Sequence, residues 1–170
     1  AHIVPAIEAA HKHGYYVITV DYLPDNIAHQ YSDEYVNVSI IDKETVLAAA
    51  QKCEIDGIIS FGIDPGVTTA AYVQEQMNLP ALGSYRSACI LQNKDLFRAF
   101  MDEHGFNVPK SKGFSSKEEA LADLSWYEYP MIVKPADGSG SKGVTRVDNE
   151  EELMSALDIA FGRSRCGNVI

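Results

Sequence analysis

Residues 131–144 carry the strongest chemical signal in the sequence. Gly138, Gly140 and Gly143 fall at GxGxxG spacing. That spacing marks a dinucleotide site only when a helix follows the loop directly. Here Val144, Thr145, Arg146 and Val147 come next and predict a strand. The unit is therefore strand–loop–strand, and the GxxxxGK[ST] phosphate loop is absent as well. A loop of this composition can still fold over phosphates. Gly138, Gly140 and Gly143 allow close backbone approach, backbone N–H groups donate to phosphate oxygens, and the Ser139 and Ser141 hydroxyls add donors. The same composition also suits a solvated tip. Lys134 shifts the balance toward phosphate. It interrupts an apolar strand, Met131 to Ala136, in which Ile132, Lys134 and Ala136 share one face. An ammonium there either snorkels to water or meets an anion, and in the second case it is a point charge for phosphate oxygens.

Other polar residues carry less. His11 and His13 lie two apart on a helix, do not share a face, and read as surface histidines. Asp64, between Gly62 and Gly66, either caps the helix starting at Pro65 or contacts a substrate, and Asp21 has the same two readings. Phe97 and Phe100 fit core packing. Cys53, Cys89 and Cys166 are far apart and form no CxxC pair, which argues against a zinc knuckle and predicts a reducing, cytoplasmic setting.

The elements that position these residues fall into two groups. Ile3, Val4, Ile7 and Ala10 recur at helical spacing, with Pro5 in the first turn and Gly14 at the stop. Strands are predicted at Tyr15 to Asp21 and Tyr35 to Ile40, and Asp42 caps a helix from Lys43 to Lys52. Ile55 to Phe61 is a compact apolar run of the kind buried on both faces of a parallel sheet. A helix from Asp64-Pro65 turns Val67, Ala70, Ala71 and Met77 inward. This alternation implies parallel strands with crossover helices, and it places Asp21 and Gly62 to Asp64 at C-terminal strand ends, where such sheets bind ligands. After Pro80 the pattern changes. Helices are predicted from Ser84 to Gln92 and from Asn93 to His104, the second with Leu96, Phe97 and Phe100 inward. Ser116 with Glu119, and Asn149 with Glu152, form capping boxes for two more helices. The strand, the glycine loop and the strand Val144 to Val147 lie between them, and Asn168 to Ile170 reads as the start of another strand.

Bulk composition suits a soluble globular chain. Its 170 residues are 46% hydrophobic and 22% charged, enough for a core without disulfides or a metal. A net charge of −10 repels phosphate backbones and argues against nucleic acid as a partner, although it leaves room for one local basic pocket. No 18-residue apolar run suggests a membrane span, and Ala1 to Pro5 lacks the charged and apolar regions of a signal peptide.

Taken in order, these motifs resemble the ATP-grasp superfamily, in particular its carbamoyl-phosphate-synthase-like and carboxylate–amine ligase members. Asn93-Lys94 resembles the family's lysine-bearing helix start, and Gly105 to Pro109 its G-x-x-x-P entry to the next strand. Tyr129 to Pro135 resembles the P-x-[IV]-[IV]-K-P strand, and Gly138 to Val144 the phosphate-covering loop. The βα segment before them, with Asp21 and Pro24 as Asp-x-x-Pro, resembles the preceding pre-ATP-grasp domain. The resemblance implies an α/β fold. Residues 1–85 would be a Rossmann-like parallel βα pre-ATP-grasp domain without its first strand. Residues 86–170 would be a small α+β ATP-grasp subdomain with a glycine-rich hairpin.

It further implies that Lys94 and Lys134 contact ATP phosphates while Gly138, Ser139, Gly140, Ser141 and Gly143 close over them. Mg2+ would neutralise the transferring group, with its acidic ligands expected beyond Ile170. The implied chemistry is activation of a small-molecule carboxylate as an acyl phosphate, which an amine or similar nucleophile then attacks. The adenine hinge and the substrate-activating residues are also expected outside this stretch, so the chain alone should bind ATP poorly and catalyse nothing. Sheet edges left bare by the missing first strand and beside Val169-Ile170 predict self-association, hence a homo-oligomer. Two other readings stand beside this one. The first is a non-catalytic nucleotide-binding or regulatory module. The second is an NAD-type oxidoreductase, disfavoured because no strand–GxGxxG–helix unit occurs.

Overall fold

The structure, a computed structural model, describes residues 2–170 other than Leu124 and Trp126. The chain divides into two compact units, Ala1–Ala88 and Cys89–Ile170.

In the first unit, helix α1 (Val4–Lys12) has Pro5 in its first turn, and Gly14 follows it in the left-handed region at φ +80°. Strand β1 (Ile18–Asp21) runs parallel to β2 (Glu34–Asn37), with Val20 opposite Val36. Both strands are shorter than the sequence suggests. The connection between them contains a 3-10 turn, Ile27–Gln30. Helix α2 (Lys43–Lys52) begins where Asp42 accepts the Thr45 N–H at 3.1 Å. Its Val46 and Ala50 meet Val73 of α3 (Asp64–Gln76) in a small core, with Val20, Ile55 and Ile58 packed around it.

Three expectations for this unit need correction. Residues 55–61 do not form a strand: Ile59 is 75% exposed, Phe61 is 52% exposed, and the Ile58 carbonyl accepts the Gln74 side-chain amide at 2.7 Å. A strand exists only where another backbone pairs with it, and none of the described strands pairs with this run. Val67 is exposed, and Val73 takes the deepest place on α3. Asp64 is the first residue of α3 and not its cap, because Ile63 holds that position without a side-chain hydrogen bond. Asp21 uses both carboxylate oxygens in its own turn, accepting from the Leu23 N–H and the Asn26 amide.

Helix α4 (Tyr85–Gln92) contains the division between the units. The second unit then holds α5 (Lys94–Glu103), α6 (Lys117–Ala122), β3 (Met131–Val133), β4 (Thr145–Val147) and α7 (Glu150–Phe161). Strands β3 and β4 pair antiparallel, with Ile132 opposite Arg146. Leu153, Ala156, Leu157 and Ala160 line one face of α7 at helical spacing and pack on Val133, Val147, Phe114 and Val169. The two capping serine and asparagine residues accept as expected, from Glu119 N–H and Glu152 N–H. The returning carboxylates sit one residue earlier than a capping box puts them, on Ser115 N–H and Asp148 N–H.

Two further expectations fail here. Leu96 and Phe100 are exposed at 45% and 39%, because none of the described residues of the unit covers that face of α5; Phe100 stacks on His104 instead. The expected bare edge at Val169 is closed. Val169 bridges Phe114 on one side and Pro135 on the other, and Lys134 and Ile170 exchange backbone hydrogen bonds of 2.9 Å. No described helix is long and apolar enough to cross a membrane.

Candidate functional site

Strand β3 runs out of its pairing with β4 at Val133, and residues 134–136 continue by pairing with residues 168–170. This double support delivers the backbone to the glycine loop in a fixed position. Along the face shared by Ile132, Lys134 and Ala136, exposure falls from half-exposed Ile132, through half-buried Lys134, to fully buried Ala136. Burial, together with the like charges of Arg98 and Lys94, holds the Lys134 ammonium below the ordinary lysine pKa.

Lys94 reaches the same place from α5. Its backbone N–H donates to the Ala136 carbonyl at 2.8 Å, and its Nζ donates to the Ala136 carbonyl at 3.2 Å and the Gly138 carbonyl at 2.5 Å. The start of α5 is thus fastened to the root of the loop. Ser139, Gly140 and Ser141 form its exposed tip, with Gly140 and Ser141 both left-handed at φ +63° and +57°. Two left-handed residues in succession make a tight turn, closed here by the Lys142 N–H donating to the Ser139 carbonyl at 3.4 Å. Gly138 lies against Pro135. Gly143 has φ +78°, and a Cβ there would sit 2.9 Å from both Arg163 Cβ and Pro135 Cγ, so the position excludes side chains.

Sequence reasoning missed two features of this region, the Asp137–Arg165 pair and Arg98. The Asp137 carboxylate is buried at the loop root and accepts from the backbone N–H groups of Arg165 and Cys166, the Ser164 hydroxyl and Arg165 Nε. Arg165 Nη2 also donates to the Asp137 carbonyl at 2.7 Å. Burial pushes the Asp137 carboxyl up, but the Arg165 and Ser164 donors outweigh it and hold the group below its usual pKa. Nothing in the local pattern links residue 137 to residue 165. Arg98 was detectable: it stands four residues after Lys94 on one helix face.

The sequence profile described as "Carbamoyl-phosphate synthase L chain, ATP binding domain" matches residues 93–168, the stretch that contains Lys94, Arg98, Lys134, Asp137, the glycine loop and Arg165. Residues 93–168 thus match an ATP-binding domain of the ATP-grasp kind, and the chain as a whole is similar to ATP-grasp ligases. The carbamoyl phosphate synthase large chain of Thermoanaerobacter pseudethanolicus is 31% identical over 81% of this chain and 13% of its own length. That of Clostridium beijerinckii is 27% identical over 94% of this chain. The chain spans about 15% of the length of that relative. Among solved structures, the L-amino acid ligase from Bacillus licheniformis matches 97% of this chain and 40% of its own, at 26% identity and a TM-score of 0.73. The biotin carboxylase domain of Hydrogenobacter thermophilus 2-oxoglutarate carboxylase shares the fold at a TM-score of 0.71 and 20% identity, over 98% of this chain and 41% of its own.

Proposed function

We propose that residues 89–170 supply the phosphate-gripping part of an ATP site in a ligase that activates a carboxylate as an acyl phosphate. One observation carries the reading: Lys94 and Lys134, from a helix and a strand remote in sequence, converge on the root of a glycine- and serine-rich loop. In this reading Gly138, Ser139, Gly140, Ser141 and Gly143 cover the phosphates. Residues 1–85 serve as a Rossmann-like pre-ATP-grasp domain, and residues 86–170 as the first ATP-grasp subdomain with its glycine-rich hairpin.

The chemistry asked of these groups is electrostatic. Transfer of the γ-phosphoryl group to a carboxylate oxygen gives an acyl phosphate and ADP, and an amine or similar nucleophile then displaces phosphate. Positive charge fixed around the transferring group lowers that barrier without having to reorganise. Mg2+ belongs to such chemistry, but the described residues contain no cluster of His, Cys, Asp or Glu able to hold it, so this reading takes its ligands from elsewhere in the parent protein. A cytoplasmic setting accords with three free cysteines.

In the full-length parent, Lys134→Ala and Lys94→Ala should each weaken ATP binding by about 1.5–3 kcal/mol, the worth of a charge-assisted contact. Calorimetry with unchanged affinity in both variants would reject the site. ATP binding without carboxylate-dependent ADP release would instead favour a non-catalytic nucleotide-binding or regulatory module.

A further inference from the structure

We propose that Arg98 is a third cation of this site and that it grips the phosphate tail together with Lys134, while Lys94, fastened to the loop root, adds its charge beside them. The inference rests on the ATP-site reading and assigns a residue which that reading leaves out. Lys94 Nζ is already turned to two carbonyls, Ala136 and Gly138, so it works first as a strut between α5 and the loop root. The same fastening fixes where Arg98 lies. Residues four apart share a helix face, so the side that carries Lys94 toward residues 136–138 carries Arg98 as well. Arg98 is half-buried there.

Charge balance points the same way. Among the described residues no carboxylate pairs with Arg98 or Lys134, whereas Lys112, Lys117, Arg146 and Arg165 each hold one. The chain carries an excess of ten negative charges, so carboxylates are plentiful, yet none neutralises this corner. Arg98 and Lys94 instead press on the Lys134 ammonium with like charge. Cations gathered without a counter-charge are relieved by an anion. A polyphosphate suits the set, since a planar guanidinium meets two phosphate oxygens at once and an ammonium meets a third.

Two measurements on the 170-residue chain test this. NMR of labelled lysine side chains follows the Lys134 titration in the native chain and in R98A. NMR titration with inorganic tripolyphosphate, which reads millimolar affinities, compares the native chain with R98A, R98K, K134A and a remote control, K12A. We expect R98A to raise the Lys134 pKa toward the ordinary lysine value and to weaken tripolyphosphate binding about tenfold or more. R98K, which keeps the charge and loses the fork, should weaken it less, and K12A should match the native chain. If R98A leaves both readouts unchanged while K134A loses affinity, Arg98 is a bystander and the ATP site stands without it. If K134A is also unchanged, the site reading falls together with this one.

Discussion

The Asp137 carboxylate meets donors from three consecutive residues, Ser164, Arg165 and Cys166, and ties the loop root to the end of α7. Substitution by Asn keeps one acceptor but turns an NH2 toward backbone N–H groups that require acceptors. Asp137→Asn should therefore destabilise the second unit by on the order of 2 kcal/mol. The pH dependence identifies the cause. The folded-state pKa of Asp137 is depressed, so its contribution is complete above the unfolded value, about 3.9, and is lost as pH falls through the lower folded value. Chemical denaturation should show the native chain losing stability on acidification below about pH 4 more steeply than the variant. Equal slopes would mean that Asp137 is not charged in the way its donors suggest. No sequence pattern reveals this residue, because its partners lie in another loop. The glycines were readable, since Gly143 is required by sterics that any close-packed loop root imposes.

At the scale of elements, α7 supplies four of the nine buried residues of the second unit's core, and Leu157 sits at 2% exposure in its middle. Leu157→Ala should lower stability by about 2–5 kcal/mol, seen as a fall in the melting temperature of the second unit. A loss below about 1 kcal/mol would show that the cluster around Val133, Val147 and Val169 collapses into the gap. How far the elements could be read from sequence follows from how local their causes are. Helix α2 was legible at its start because Asp42, its cap, is adjacent to it. The caps of α6 and α7 were legible for the same reason. Residues 55–61 misled because apolar content predicts burial only if a neighbour exists to bury it, and that is a non-local fact. Leu96 and Phe100 misled identically: the amphipathic period of α5 is real, yet its apolar stripe faces outward in this unit.

At the scale of the whole molecule, the 170-residue chain brings cations and a glycine loop but no metal cage among its described residues. Its net charge of −10 gives ATP no long-range attraction. Calorimetry should find ATP affinity no better than about millimolar, near 4 kcal/mol of binding, and no turnover. Micromolar affinity with ATP hydrolysis would show that these residues complete a site by themselves. The feature with the widest reach is Val169, held between Phe114 and Pro135. The chain is made in order, so residues 114 and 135 leave the ribosome long before the segment that joins them. The sheet of the second unit therefore cannot close during synthesis until residues 168–170 emerge. Until then the apolar faces of β3, β4 and α7 wait without their central partner, an interval in which aggregation competes with folding. The first unit, with its own core around Val46 and Val73, is free of that delay.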